Sequence, residues 1–309
     1  MHSNRRLILI MCLCLVVVGI SAAAQFDYYQ NRPQDATVAT DIPTSTSIDN
    51  SFYDTSANAS TSTTTRPPIP GLTARAFLIG NIQTGKIYKE YNSTRPLPVA
   101  SMSKLVTAFV ATDIMKGDEV VTVTEEATKA PPDGSNLLAG EKFHLSEILV
   151  PLLLNSSNVA AESIASTKDR TRFLELMSSY SWEIGMPKTY FADPSGVNPH
   201  NAASGRDLFE LAKYLVNYRP DILAVTRIPE ADTATTSEHG GHHFSSTHPF
   251  VRDPRFIGGK TGRTPDAGET MMTILNINDQ PIVFIVLHSE YGYREADTRI
   301  LLREYETIQ

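Results

Sequence analysis

The segment from Ser101 to Met115, SMSKLVTAFVATDIM, constrains this chain more than any other. Its apolar run reads as a largely buried helix, yet its first turn carries a lysine. Ser101 and Lys104 stand one helical turn apart, so hydroxyl and amine lie on one face. A serine becomes a nucleophile only when a group within hydrogen-bond reach takes its proton. A lysine at i+3 does this if its site keeps it neutral. A plain capping role would explain Ser101, but it leaves a lysine within a very apolar helix without a reason.

Two later segments supply what such a pair needs: Ser156-Ser157-Asn158 and Lys260-Thr261-Gly262. Taken singly, each motif is weak. A lone S-x-x-K turns up about once in a chain of this length at ordinary residue frequencies, S-x-N is no rarer, and Thr-Gly is common turn chemistry. The ordered set carries weight because each piece stands where its role requires.

Ala76–Ile79 and Lys86–Tyr88, joined through Gln83-Thr84-Gly85, read as a β-hairpin. Pro96 and Pro98 break the chain, so Ser101 opens its helix where unpaired N–H groups and the positive dipole end favour a developing anion. Leu145–Leu154 reads as apolar helix, followed by the polar Asn155–Asn158 break and an Ala-rich helix to Ala165. Either that break is a capped loop, or Ser156 and Asn158 face a cleft. Glu269–Leu275 and Gln280–His288 read as strands around an Asn-Asp turn, which makes Lys260–Gly262 part of an edge strand of an antiparallel meander. Glycines 258, 259 and 262 let a ligand backbone lie close against that strand. Arg294–Gln309, with Ile300, Leu301, Leu302 and Tyr305, reads as a helix packed on the sheet.

From about Leu72 to Gln309 the chain resembles the low-molecular-mass penicillin-binding proteins, the serine D-alanyl-D-alanine carboxypeptidases. The likeness rests on the three motifs and on Thr84-Gly85-Lys86, Ala100–Lys104, Phe191–Gly196, His200 through Ser204 to Asp207, and Lys260–Thr264 with Ala267-Gly268. It implies an α/β fold of the α+β type, β-lactamase/DD-peptidase-like: a mainly antiparallel sheet flanked by helices in three layers, plus a helical lobe, with the cleft between.

It also implies that Ser101 attacks the carbonyl between the two terminal D-alanines of a peptidoglycan stem peptide. Lys104 acts as base, its pKa lowered by burial and by Lys260 as a second cation. Ser156 relays a proton to the departing amine, and Asn158 holds Lys104 and the substrate amide. Lys260 and Thr261 bind the terminal carboxylate, with Gly262 beside them, and the N–H groups of Ser101 and Arg263 form the oxyanion hole. β-Lactams such as penicillin trap the acyl-enzyme, and no metal or organic cofactor is required.

The chain departs from the family pattern at Ser157 within S-x-N, and at Arg263, where an aromatic residue or His is commoner. The stretch Glu230–Phe250 matches poorly. Its His239, His242, His243 and His248 suggest a metal site, but no Cys and few acids accompany them in an irregular, Gly-containing loop, so no metal is expected. Three rivals stand beside the carboxypeptidase. A class A β-lactamase needs a Glu-x-x-Leu-Asn loop, where this chain reads Phe191-Ala192-Asp193-Pro194. A D,D-endopeptidase cutting cross-links uses the same residues. A non-catalytic wall-binding module would not need Ser101, Lys104, Ser156, Asn158 and Lys260 intact.

Arg5 and Arg6 precede the uncharged, mostly apolar Leu7–Ala24, which reads as a signal peptide cleaved after Ala22-Ala23-Ala24, or as an uncleaved anchor attaching the protein to the membrane. Either way the remainder is exported to the cell envelope. Both cysteines, Cys12 and Cys14, lie in this segment, so the exported part has no disulfide to make. Residues 25–70 are expected to form a flexible tether: Ser and Thr make up about half of Thr37–Thr65, and such a composition buries too little surface to offset ordering entropy. The Asn58, Asn92 and Asn155 glycosylation matches read as incidental, since a glycan on Asn155 would block the cleft. Residues 71–309 suit one catalytic domain of two lobes, with no β-rich C-terminal domain expected. A net charge of −7 argues against nucleic-acid binding.

Overall fold

In the computed structural model, described over residues 69–308, β1 (Ala76–Asn81) and β2 (Ile87–Tyr91) form the expected hairpin. Asn81 closes its turn, with its carbonyl accepting from Gly85 N–H and its side chain from Thr84 N–H, both at 3.0 Å. The 1–24 segment, Asn58 and all but the last two residues of the 25–70 stretch lie outside the described residues.

After β3 (Leu97–Pro98), a 3₁₀ turn at Ala100–Met102 runs into α1 (Ser103–Ile114). Ser101 therefore opens the helical run but belongs to the 3₁₀ turn, and neither junction has a side-chain cap. β4 (Val120–Thr122) pairs with β5 (Lys142–His144), which leads into α2 (Leu145–Leu153), α3 (Asn158–Lys168) and α4 (Arg170–Glu183). β6 (Ala202–Ala203) pairs with β3, and α5 (Gly205–Tyr218) and α6 (Pro220–Thr226) follow. The His-rich stretch forms a second hairpin, β7 (Glu230–Thr233) with β8 (His242–Ser245). The chain then runs through β9 (Phe256–Thr264), β10 (Gly268–Ile277) and β11 (Gln280–Ser289) to α7 (Arg294–Thr307).

The main sheet has the order β2-β1-β11-β10-β9 and is antiparallel throughout, with β9 on the edge as expected. Asn278 and Asp279 both take positive φ, 52° and 60°, which suits the twist of a tight hairpin between β10 and β11. Alternation along the strands feeds two cores. Phe77, Ile79, Met271, Phe284 and Val286 face α7, where they meet Leu301, Leu302 and Tyr305. Ala76, Leu78, Met272, Ile274 and Ile285 face the other way, into a larger cluster that includes Leu208 and Phe209 of α5 and continues through the helical lobe. The layers are α7, sheet, then helices, as the resemblance implies.

Within the lobe, α1 is buried from Ser103 to Ala111. A helix apolar on all sides has to be surrounded, and α2, α3, α4 and α6 surround it. Among the described residues no helix is long and apolar enough to cross a membrane.

Phe284 is fully buried and meets Tyr305 edge-on, with ring centroids 6.0 Å apart. Phe284→Ala should cost about 3–5 kcal/mol of unfolding free energy. The shift in urea midpoint measures it, and a cost near zero would show that α7 is not seated on the sheet as described.

Candidate active site

The first turn of the α1 run, the start of α3 and the loop after α4 converge on one amine. Lys104 Nζ lies 2.9 Å from Ser101 Oγ, 2.8 Å from Asn158 Oδ1 and 2.7 Å from the carbonyl oxygen of Ser195. Asn158 is itself held, since its Nδ2 donates to the Pro131 carbonyl at 2.9 Å. The amide is thereby oriented with its oxygen toward Lys104. Burial lowers the Lys104 pKa from 10.5 to about 7, against the opposing pull of Asp193, Asp133 and Glu162.

The loop carrying Ser195 is folded around a carboxylate. Asp193 accepts from Ser195 N–H at 2.7 Å, Ser195 Oγ at 2.9 Å, and the N–H groups of Gly196 and Asn198 at 2.5 Å. Glycine is required at 196: φ is +84°, and a Cβ there would stand 1.9 Å from the Ala100 carbonyl oxygen. Ala100 also takes a positive φ, 49°. Such strain costs energy and persists where surrounding contacts enforce it. Here it presents Ser101 at the end of a tight turn.

Ser156 and Asn158 flank the Ser157 cap, whose hydroxyl accepts from Ala160 N–H at 3.0 Å. Ser157 is thus the cap of the capped-loop reading, while Asn158 turns its amide to Lys104. Ser156 adopts φ +65°, and its buried Oγ has no hydrogen-bond partner among the described residues.

The opposite side is β9. A Cβ on Gly262 would stand 2.8 Å from Ala100 Cβ and 2.9 Å from Ser101 N, so the strand passes directly against the turn that carries Ser101. Gly259 N–H donates to Thr226 Oγ1 and the Thr261 carbonyl accepts from Lys260 Nζ, so these peptide groups point away from β10. By the alternation of an antiparallel ladder, Arg263 shares that orientation, and its N–H faces the open edge. The Arg263 side chain is exposed.

Lys260 is fully buried, and burial, Lys104 and Arg294 hold its pKa well below the ordinary value. Repulsion between the two amines is mutual, while the carboxylates of Asp193, Asp133 and Glu162 pull the Lys104 pKa the other way. Thr261 Oγ1 meets Thr247 Oγ1 at 2.8 Å, and Arg294 donates to the Gly262 carbonyl at 3.1 Å.

All of Ser101, Lys104 and Asn158 come together directly, and Gly262 brings β9 alongside. Sequence reasoning did not single out the Ser195 carbonyl, Asp133, Thr247 or Arg294. Only the Phe191–Gly196 motif pointed toward any of them. His239 stacks on Phe143, His242 Nε2 bonds Glu141 at 2.8 Å, and the exposed His243 bonds Asp232 at 2.7 Å. Burial drives the His248 pKa to about 3, so it is neutral and donates from Nε2 to the Met272 carbonyl at 3.0 Å.

The Lys104 titration has a defined sign. The native amine binds its proton below about pH 7, whereas the unfolded one does so up to 10.5. The burial penalty is complete below the native value and fades as pH rises toward the unfolded one, so this group makes stability increase with pH across that window. A Lys104 side-chain NMR titration in the unliganded protein should show a midpoint near 7. A midpoint near 10 would contradict the burial described.

Residues 61–290 match the profile of Peptidase S11, D-alanyl-D-alanine carboxypeptidase. The chain is 28% identical over 245 residues to a D-alanyl-D-alanine endopeptidase of Pseudomonas aeruginosa, covering 77% of this chain and 79% of that protein. It is 25% identical over 232 residues to the D-alanyl-D-alanine carboxypeptidase DacC of Escherichia coli, covering 71% of this chain and 57% of that one. A D-alanyl-D-alanine carboxypeptidase structure from Mycobacterium tuberculosis aligns with a TM-score of 0.71 at 22% identity, over 78% of this chain and 94% of the other, and speaks for the fold. With the profile spanning most of the chain and the fold agreeing, this protein belongs to the Peptidase S11 family, the serine D-alanyl-D-alanine peptidases.

Proposed function

We propose that this protein opens peptidoglycan cross-links as a serine D,D-endopeptidase, through an acyl-enzyme on Ser101. The observation that carries the chemistry is the set of contacts around Lys104. A neutral amine has two N–H groups and one lone pair. Asn158 Oδ1 and the Ser195 carbonyl can only accept, so they take both N–H groups and leave the lone pair toward Ser101 Oγ. With a pKa of about 7, that neutral form is well populated at neutral pH.

Ser101 Oγ bonds to the carbonyl carbon of the penultimate D-alanine as its proton passes to Lys104. The oxyanion lies between the N–H groups of Ser101 and Arg263. The C–N bond then breaks, and the departing amine takes a proton from Lys104 through the Ser156 hydroxyl. The leaving residue's carboxylate binds Lys260 and Thr261, and its charge favours the ammonium form of Lys260. Water releases the acyl group and restores Ser101. A β-lactam opened by the same attack stays on Ser101.

The choice of cross-link rests on the relatives. The endopeptidase of Pseudomonas aeruginosa is matched over 79% of its length, whereas DacC is matched over 57%. Removal of the terminal D-alanine from uncross-linked stems, the activity expected from the sequence, is the second reading, and the family's own description favours it. The same residues serve both. Peptidoglycan lies outside the cytoplasmic membrane, in keeping with residues 1–24 as export signal or anchor and 25–70 as tether to the domain at 71–309.

Mass spectrometry of cross-linked muropeptides incubated with the protein should show dimers converted to monomers, and none with folded Ser101→Ala. Loss of one alanine from pentapeptides with dimers untouched would select the carboxypeptidase. No change with either protein would leave a wall-binding module. Acylation by a fluorescent penicillin should rise about tenfold per pH unit on the acid side and level off above about pH 7, because only the neutral amine takes the Ser101 proton. A flat profile from pH 5 to 9 would remove Lys104 as base.

A further inference from the structure

The loop Pro131–Ser135 belongs to none of the three motifs, yet it closes over the start of α3. Asp133 is its centre. One carboxylate oxygen accepts from Ser157 Oγ at 3.0 Å, from Val159 N–H at 3.1 Å and from Asn158 N–H, while the other accepts from Ser135 N–H at 2.8 Å. Ser135 Oγ meets Ser157 Oγ at 2.9 Å, and the Pro131 carbonyl takes Asn158 Nδ2. Both ends of Asn158, backbone and amide, are thus tied to this one loop. A carboxylate at a helix N-terminus satisfies N–H groups that the helix cannot, and is favoured by the dipole.

We infer that Asp133 is a positioning residue of the active site, holding Asn158 in the orientation that directs its amide oxygen to Lys104 and adding one negative charge to that amine's surroundings. This rests on the proposed role of Lys104. The charged groups that bear on that amine are Asp193 from the loop after α4, Asp133 from the 131–135 loop, Glu162 on α3, and Lys260 from β9. Hydrogen bonds from Ser135, Val159 and Asn158 outweigh the burial that would raise the Asp133 pKa, so it stays ionised across the range in which Lys104 titrates. Its charge favours the ammonium. Removing that charge while keeping the cap should therefore release the proton at lower pH.

The test uses the full-length chain with Asp133→Asn and Asp133→Ala, following acylation by fluorescent penicillin from pH 5 to 9. Asparagine is a good N-cap and still offers one oxygen to Ser157, Asn158 and Val159, so Asp133→Asn removes the charge and keeps the cap, giving up only the acceptor for Ser135 N–H. Its acid limb should move to lower pH by about half a unit or more. Asp133→Ala should show the same move and, with Asn158 released, a plateau reduced by roughly tenfold.

Asp133→Asn with the wild-type midpoint would overturn the electrostatic role, and Asp133→Ala with a wild-type plateau would overturn the positioning role. A merely structural residue would lower the melting temperature of both variants and move neither limb. If Asp133→Ala does not fold, the midpoint and plateau of Asp133→Asn decide alone. Wild type that takes no penicillin label would sink the proposed function and this inference with it. Labelled wild type with unmoved variants sinks only the inference.

Discussion

A lysine amine taken out of water is the interaction on which the rest depends. Lys104 sits in a helix enclosed on all sides, where a charge is costly and an unpaired N–H costs nearly as much as a lost hydrogen bond. The fold meets this by bringing two fixed acceptors from separate parts of the chain, Asn158 from the start of α3 and the Ser195 carbonyl from the loop wrapped around Asp193. Each acceptor is held by its own scaffold, so the amine has little freedom. Its remaining direction points at Ser101. A site of this kind is preorganised: its groups are aligned before substrate arrives.

The second constraint is closeness between the Ser101 turn and β9. Two glycines make it possible. Gly196 lies under the Ala100 carbonyl, and Gly262 lets the edge strand pass against Ser101 N–H. An edge strand is ordinarily a liability, since its unpaired peptide groups invite other chains. Here the open edge carries Lys260 and Thr261, the residues proposed to hold the substrate. Lys260 and Lys104, both buried, repel each other across the gap, and a substrate carboxylate would relieve that repulsion.

The histidine-rich hairpin β7–β8 finds its place in the same scheme. His242 and Gly240 bind Glu141, His239 stacks on Phe143 of β5, and Ser245 N–H donates to the Asn155 side chain at 2.9 Å. Asn155 in turn reaches the Gly134 carbonyl at 3.4 Å, next to Asp133. The stretch that resembled the family least thus braces the loop that carries Ser156 and Asn158. Packing and hydrogen bonding account for these side chains.

Much of this was written in the sequence, because it follows from local rules. The β1–β2 hairpin, the enclosed helix after Pro98, the Asn-Asp turn and the edge position of β9 all come from side-chain period and turn chemistry acting over a few residues. Ser101 with Lys104 was legible for the same reason, since i and i+3 share a helix face. The 3₁₀ start at Ala100–Met102 was not, because it lies against the Gly196 loop, a contact from far along the chain. Nor were the strands of the histidine hairpin, whose residues have no clear period of their own. The Ser195 carbonyl is a backbone atom and has no residue signature at all. Asp133 lies 25 positions before the N–H it caps at Asn158, and its partner is decided by how a loop closes on a helix. The sequence alone determined which groups could react. Tertiary structure decided which of them are desolvated, aligned and charged, because those properties belong to surroundings assembled from distant parts of the chain.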